Sequence, residues 1–310
     1  MTDSAAGPAL LVFGAGGQVG EELRRLGARA GIPVRALPRA EADITDPAAV
    51  RAAVCGSGAR VVVNAAAYTK VDLAESESAA ARAINAEAPG HVAAACREAG
   101  LPLLHLSTDY VFDGTKGSPY RECDPVAPLG VYGSSKEAGE RAVRQALDRH
   151  VIVRTAWVFA AHGHNFVRTM LRLGESRDHL RVVDDQRGSP TSAADIAAAL
   201  LQIARRVTAA PDSAPWGTYH FTNAGSTTWH GFATAVFAER RRLTGAAPPR
   251  IDPITTADYP TPARRPAYSL LDCACIADAF GVRPRPWAAA LSPVMEEILV
   301  HEPVFHHTNP

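Results

Sequence analysis

"ALLVFGAGGQVGEELRRLGARAG", residues 9–31, joins an apolar run to an amphipathic one across a cluster of glycines. The run at 9–13 reads as a β-strand, and the stretch from Gln18 reads as a helix that stops at Gly31. Between them Gly14, Gly17 and Gly20 are spaced three and three. Glycines in such a turn permit a tight bend, let a pyrophosphate approach the backbone and let the helix pack closely on the strand. Val19 makes the pattern G-x-x-G-x-x-G rather than G-x-G-x-x-G, and any βα turn can carry glycines. Strand, glycine turn and helix in this order nonetheless predict a dinucleotide-binding unit.

The same alternation runs outward from this unit. Residues 33–37, 60–67, 101–108 and 150–159 read as further strands. Residues 46–58 read as a helix with Asp46 as N-cap and Pro47 in its first turn. Residues 77–100 are helical with Pro89 as a kink or break, and residues 131–147 are helical. Strands this apolar are covered on both faces, so the expected fold is α/β, a doubly wound parallel sheet of Rossmann type. Beyond residue 160 the alternation loosens, and a Pro/Arg-rich stretch, "YPTPARRPAYSLLD", spans 259–272. The expected division is a dinucleotide-binding domain over 1–160 and about 185–228 and a smaller C-terminal substrate lobe over 161–184 and about 229–310. Residues 208–217 read as a surface loop.

Composition narrows the function. Thirty-two basic residues balance 32 acidic ones, which argues against nucleic acid or a membrane surface as partner. The apolar run at 9–13 is too short to span a bilayer and has no basic segment before it, so a cytoplasmic protein without a secretory signal is expected. The five cysteines (55, 96, 123, 273 and 275) form no CxxC pair and read as reduced thiols. His162 with His164, and His306 with His307, read as loop histidines rather than metal ligands.

Ligands in such sheets bind beyond the carboxyl ends of the strands. The fourth strand ends in "LSTDYVF", and the next helix opens with "VYGSSKEAGE", residues 131–140. Tyr132 and Lys136 share one face of that helix. A phenol titrates near pH 10 and is a poor proton donor–acceptor at neutral pH unless its anion is stabilised. The Lys136 ammonium can lower that pKa, and can also hydrogen-bond a nicotinamide ribose. Thr108 can donate to a substrate carbonyl. Thr108, Tyr132 and Lys136 together describe a carbonyl-reduction site. The second strand ends without an acid before Glu41, and Arg39 is placed to pair a 2′-phosphate, which favours NADPH. Asp43 and Ile44 can hold an adenine by an acceptor and an apolar wall.

With these stretches in hand, and with "VVNAAAYTKVDLAES", "VVDDQRGSPT", "TTWHGFA" and the 259–272 stretch, the sequence resembles the extended short-chain dehydrogenase/reductases. Within them it resembles the dTDP-4-dehydrorhamnose reductase family over nearly its whole length. The resemblance implies reduction of the 4-keto group of a dTDP-4-dehydro-6-deoxyhexose, with dTDP-L-rhamnose as the family's product, by NADPH or by NADH in its place. It implies Thr108, Tyr132 and Lys136 as the catalytic set. Gly14, Gly17, Gln18, Val19, Gly20, Arg39, Asp43, Ile44, Ala65, Ala66, Ala67, Tyr68 and Ser107 would line the cofactor. Thr69, Val71, Tyr110, Trp157 and Asn165 would line the sugar, and Arg264 and Arg265 its diphosphate. Some members hold Mg2+ through glutamates at a dimer contact, so Glu22, Glu296 and Glu297 are candidate ligands, and a homodimer a candidate assembly. Related dehydratases carry an acid where this chain has Tyr110, which disfavours elimination. Two alternatives stay open: a 4-keto reductase of antibiotic deoxysugars, such as dihydrostreptose formation, and a cofactor-binding regulatory subunit without turnover.

Overall fold

A computed structural model describes residues 10–301, and the His306–His307 pair lies outside them. Six strands form the central sheet: β1 (Leu10–Phe13), β2 (Val34–Leu37), β3 (Val61–Asn64), β4 (Leu103–Thr108), β5 (His150–Thr155) and β6 (Gly217–His220). Their order is β6-β5-β4-β3-β1-β2, and every pairing is parallel. The winding reverses between β1 and β3, which opens a crevice at their carboxyl ends.

The strands alternate between two apolar layers. Leu10 and Val12 of β1 face one layer with Leu200 and Ile203, and Leu11 and Phe13 face the other with Val50 and Val92. Helices α1 (Gln18–Arg29) and α6 (Ala193–Ala209) cover the first face. Helices α2 (Pro47–Cys55), α3 (Ala88–Ala99) and α4 (Val131–Ala146) cover the second. Asp46 caps α2 as expected, accepting from the amides of Ala48 at 2.9 Å and Ala49 at 3.3 Å.

Two elements differ from the expectation. The helix expected over 77–100 is a short helix, Ser78–Arg82, a π-helical turn, Ala83–Glu87, and then α3. Pro89 lies just after the π-helical turn in a chain that stays helical throughout, so the expected interruption at Pro89 takes the form of that π-turn. The π-turn carries the buried Asn85, which accepts from the Tyr68 amide at 2.8 Å and donates to the Tyr68 carbonyl at 3.0 Å. The strand expected to run to residue 159 stops at Thr155. Trp157 takes φ +49°, in the left-handed region, and Val158–Phe159 leaves the sheet to pair with Thr191–Ser192.

A third core forms the smaller lobe, where α5 (Phe166–Ser176), α7 (Trp229–Thr244) and α8 (Trp287–His301) pack around Phe159, Val167, Phe232, Phe237 and Met295. Strands His179–Val183 and Arg250–Ile254 pair beside them. Packing does not respect the expected boundary at 229: Ile276, Phe280 and Val282 insert into the first layer of the large sheet. Among the described residues no helix is long and apolar enough to cross a membrane, and the five cysteines are free.

Close contact between α4 and the π-turn sets a steric test. A Cβ on Gly139 would lie 2.0 Å from the Asn85 carbonyl oxygen, whereas one on Gly90 meets only the Ala142 methyl at 3.4 Å. Gly139→Ala is expected to cost about 1–3 kcal/mol, as overpacking does, and Gly90→Ala far less, read from urea unfolding.

Candidate active site

The glycine turn forms one wall of the crevice. Gly14 has φ +92°, and a Cβ on it would meet the Ala66 amide at 2.6 Å. A Cβ on Gly20 would lie 2.2 Å from the Gly14 oxygen, so α1 rests directly on the turn. At Gly16, by contrast, a Cβ would meet nothing within 4 Å. The turn is therefore packed from behind and bare on its cleft side, the shape a pyrophosphate needs.

The cleft in front of it is about 550 Å³ and is lined by Gly14, Gly17, Gln18, Val19, Arg39, Asp43, Ile44, Ala65, Ala66, Ala67, Thr69, Ser107, Tyr132 and Lys136 of the expected residues. It is also lined by Gly16, Leu106, Thr155 and Val158, which were not expected there, and by His164, expected only as a loop histidine. Thr155 stands opposite Thr108 in the β4–β5 register, so the strand-end position beside the expected threonine was the available signal. Its hydroxyl is buried with no protein partner. Arg39 is three-quarters exposed and donates to Asp43 at 2.9 Å. Asp43 also accepts from the Thr45 amide and hydroxyl, which hold its carboxyl below the usual range.

At the floor of the cleft, Tyr132 and Lys136 project from α4 toward the end of β4. Lys136 is 3% exposed and its Nζ donates to the Leu106 carbonyl at 2.7 Å. Burial pulls its pKa down to about 8, against a smaller upward pull from Glu140. Tyr132 is pushed up to about 12, chiefly by burial, while a hydrogen bond with Thr108 acts the other way. The expected lowering of the phenol by Lys136 is not found: desolvation dominates, Asp109 adds to it, and the ammonium is directed at a backbone carbonyl. A phenol with its pKa raised stays protonated at neutral pH but is a weaker acid, so it gives up its proton only where its anion is stabilised as the proton leaves. Thr108 is itself buried, donates to Asp109 Oδ1 at 3.0 Å and accepts from the Tyr110 amide at 3.3 Å. Asp109 is 1% exposed, and burial raises its pKa to about 6 although Ser269 and Thr108 hydrogen-bond it.

The expected sugar-side residues are engaged in ways the sequence did not reveal. Tyr110 packs edge-on against Tyr132, with ring centroids 5.3 Å apart, and its phenol hydrogen-bonds Arg265. Arg265 is not a free cation: it donates to Asp72 Oδ2 at 2.8 Å and to Thr261. Asp72 follows Val71 in the short helix Val71–Ala74. Arg264 is exposed. Asn165 caps α5, accepting from the Arg168 amide at 3.2 Å. Its Nδ2 donates to Gln18 Oε1 at 3.1 Å, Ala160 O at 2.9 Å and His162 O at 3.2 Å, so its amide is spent on structure. The Tyr68 phenol turns away to Glu77 at 2.7 Å and does not line the cleft. Trp157 stacks on Trp229 with centroids 3.5 Å apart and rings within 6° of parallel.

The glutamates expected for Mg2+ are each taken up by a neighbouring cationic side chain or histidine. Arg25 bridges Glu22 at 3.0 Å and Glu297 at 2.7 Å, His162 meets Glu22 at 2.8 Å, and Glu296 pairs with Arg242 at 3.3 Å. Among the described residues no three His, Cys, Asp or Glu side chains could hold a metal ion. Within the chain the Arg25 guanidinium stands between Glu22 and Glu297.

A parallel sheet with a glycine turn at its switch point and a Tyr–Lys helix beside it defines an extended short-chain dehydrogenase/reductase fold. Residues 8–300 match the RmlD substrate binding domain family, and the chain belongs to it. It is 48% identical over 296 residues to the dTDP-4-dehydrorhamnose reductase of Burkholderia thailandensis, covering 94% of this chain and 99% of the relative. It is 50% identical over 287 residues to the protein of the same description from Streptomyces griseus, covering 92% of each. The structure of dTDP-4-dehydrorhamnose reductase from Bacillus anthracis in complex with NADP superposes with a TM-score of 0.86 at 33% identity, covering 94% of this chain and 99% of that one.

The buried Asp109 gives the site a stability cost that depends on pH. Its folded pKa, about 6, lies above the ordinary 3.8. Its stabilising contribution is therefore complete below the lower value and is lost as pH rises through the upper one. Asp109→Asn mimics the protonated form, so it is expected to be more stable than the unaltered protein at pH ~7 by roughly 2–3 kcal/mol and to lose that advantage near pH ~4. Thermal unfolding across that range checks both the sign and the window.

Proposed function

We propose that the chain reduces the 4-keto group of a dTDP-4-dehydro-6-deoxyhexose, converting dTDP-4-dehydro-L-rhamnose to dTDP-L-rhamnose with NADPH as reductant. The observation that carries the reading is the meeting of Tyr132, Lys136 and Ser107 in one cleft with the bare side of the glycine turn. A nicotinamide bound there supplies a hydride to the carbonyl carbon. Tyr132 gives its proton to the alkoxide that forms at the carbonyl oxygen, a base strong enough to take it from a phenol whose pKa burial has raised. Thr108 would orient that oxygen once its hydroxyl proton turns from Asp109 to the substrate. Lys136 holds the ribose and keeps a positive charge beside the phenol's developing anion. Tyr110 offers no carboxylate for elimination, which supports plain reduction.

Arg39 supports NADPH over NADH, since its exposed guanidinium stands at the cleft rim, where Asp43 is its partner among the described residues. On the sugar side Thr69 enters the cleft, Val71 and Tyr110 stand beyond it, and Trp157 presents an indole already braced by Trp229. Arg264, exposed, is the better candidate for the diphosphate, because Arg265 is held by Asp72.

The purified protein is expected to oxidise NADPH only when a dTDP-4-keto-6-deoxy sugar is present, with the product identified by mass and NMR. Nucleotide binding without turnover of any such sugar would favour a regulatory subunit. Tyr132→Phe is expected to lower kcat by ~10²–10⁴ with little change in KM. Arg39→Ala is expected to raise KM for NADPH about tenfold and leave that for NADH near its original value.

A further inference from the structure

Behind the floor of the cleft lies a buried ion cluster that touches neither wall of the glycine turn. Glu140 follows Lys136 by one helical turn and is 0% exposed. Its carboxylate accepts four hydrogen bonds, two on each oxygen. Ser107 Oγ at 2.6 Å and Arg154 Nε at 2.8 Å reach Oε1. Arg154 Nη2 at 2.7 Å and Arg144 Nη1 at 3.1 Å reach Oε2. Arg154 is 3% exposed, lies over the Phe112 ring at 5.1 Å, and is positioned by His220 Nε2 at 3.4 Å. The His220 Nδ1–H in turn donates to the Tyr120 carbonyl at 3.1 Å. Burial holds His220 neutral, with its pKa drawn down to about 3.

A buried pair of this kind costs as much desolvation as it returns in attraction, so stability alone does not account for it. Its two ends do. Glu140 grips Ser107, a residue of the cleft wall, and faces Lys136 along the same helix. We propose that Glu140 is a positioning residue of the reaction: it fixes the Ser107 hydroxyl and stands as the anionic counter-charge behind Lys136, with Arg154 setting how much of that charge the lysine feels. The inference rests on the reading of Lys136 as the cation of the reductase site.

The other groups around the pair leave Glu140 as the acting anion. From β4, His105 faces Lys136, and burial keeps it neutral; His150 at the start of β5 is likewise drawn down. Asp109, in the turn after β4, faces Tyr132 and Tyr110. The π-turn presents the neutral Asn85 to Ser135 at 3.2 Å. On α4 itself, Glu137 is drawn outward to Arg141 and Arg144.

The test is a charge cycle on the full-length protein. Two pH profiles are recorded for each variant: NADPH affinity by nicotinamide fluorescence, which needs no sugar, and kcat with the 4-keto sugar. In the unaltered protein both are expected to fall as Lys136 deprotonates, near pH 8. Glu140→Gln removes the anion and strands the Arg154 cation, so the falling limb is expected to move down by about one pH unit, a tenfold change in proton affinity. Arg154→Met is expected to move it up, and E140Q/R154M to return it toward its original place. A Glu140→Gln profile lowered uniformly, with only its melting temperature reduced, would make the cluster structural and overturn the proposal. If Glu140→Gln does not fold, an Arg154→Met limb that fails to move upward overturns it as well. Binding profiles that shift as described without reduction of any sugar would leave this inference standing and remove the proposed substrate instead.

Discussion

The contact between Gly20 and the Gly14 carbonyl governs the architecture of this chain. No side chain fits between them, so α1 begins directly on the turn that ends β1. That closeness aims the first turn of α1 into the crevice where the sheet reverses direction. It also leaves Gly16 facing open space. Every other cleft residue is placed relative to this wall: Ala65 and Ala66 press on it from β3, and α4 closes the far side. A methyl group at position 20 would move the helix, and with it the whole approach to the site.

The far side is built on different physics. Polar groups are carried inward and paired, and the pairing decides their chemistry. Lys136 loses water and gains a carbonyl, Thr108 is held between a carboxylate and an amide, and Tyr132 is kept neutral by its surroundings. Proton affinity here is set mainly by burial, with charges two and three residues deep making the adjustment.

Much of this was legible in the sequence because it is local. The first five strands and the parallel doubly wound class follow from apolar runs separated by amphipathic helices, and the capping of α2 by Asp46 follows from a four-residue pattern. What escaped was long-range or ambiguous. Arg265 looked like a free cation because its partner, Asp72, is 193 positions away. Asn165 was a candidate sugar ligand only through the resemblance, and nothing local in the sequence shows that its amide caps α5 and holds Gln18, Ala160 and His162. The end of β5 was hidden because Ala156 and Trp157 are as apolar as the strand before them, and only the backbone turn at Trp157 reveals that the chain has left the sheet.

That turn ties three distant positions to one another. Trp157 holds an unfavourable backbone angle while its indole lies flat on Trp229 and occupies the space that any side chain at Gly188 would need, 2.4 Å from its ring. None of the three can drift alone. A side chain at 188 displaces the indole, a smaller residue at 229 removes its support, and a replacement at 157 inherits a conformation it has no stacking energy to offset. Change in this corner of the fold therefore requires coordinated substitutions, so it resists piecemeal replacement even though it is made of short strands and loops.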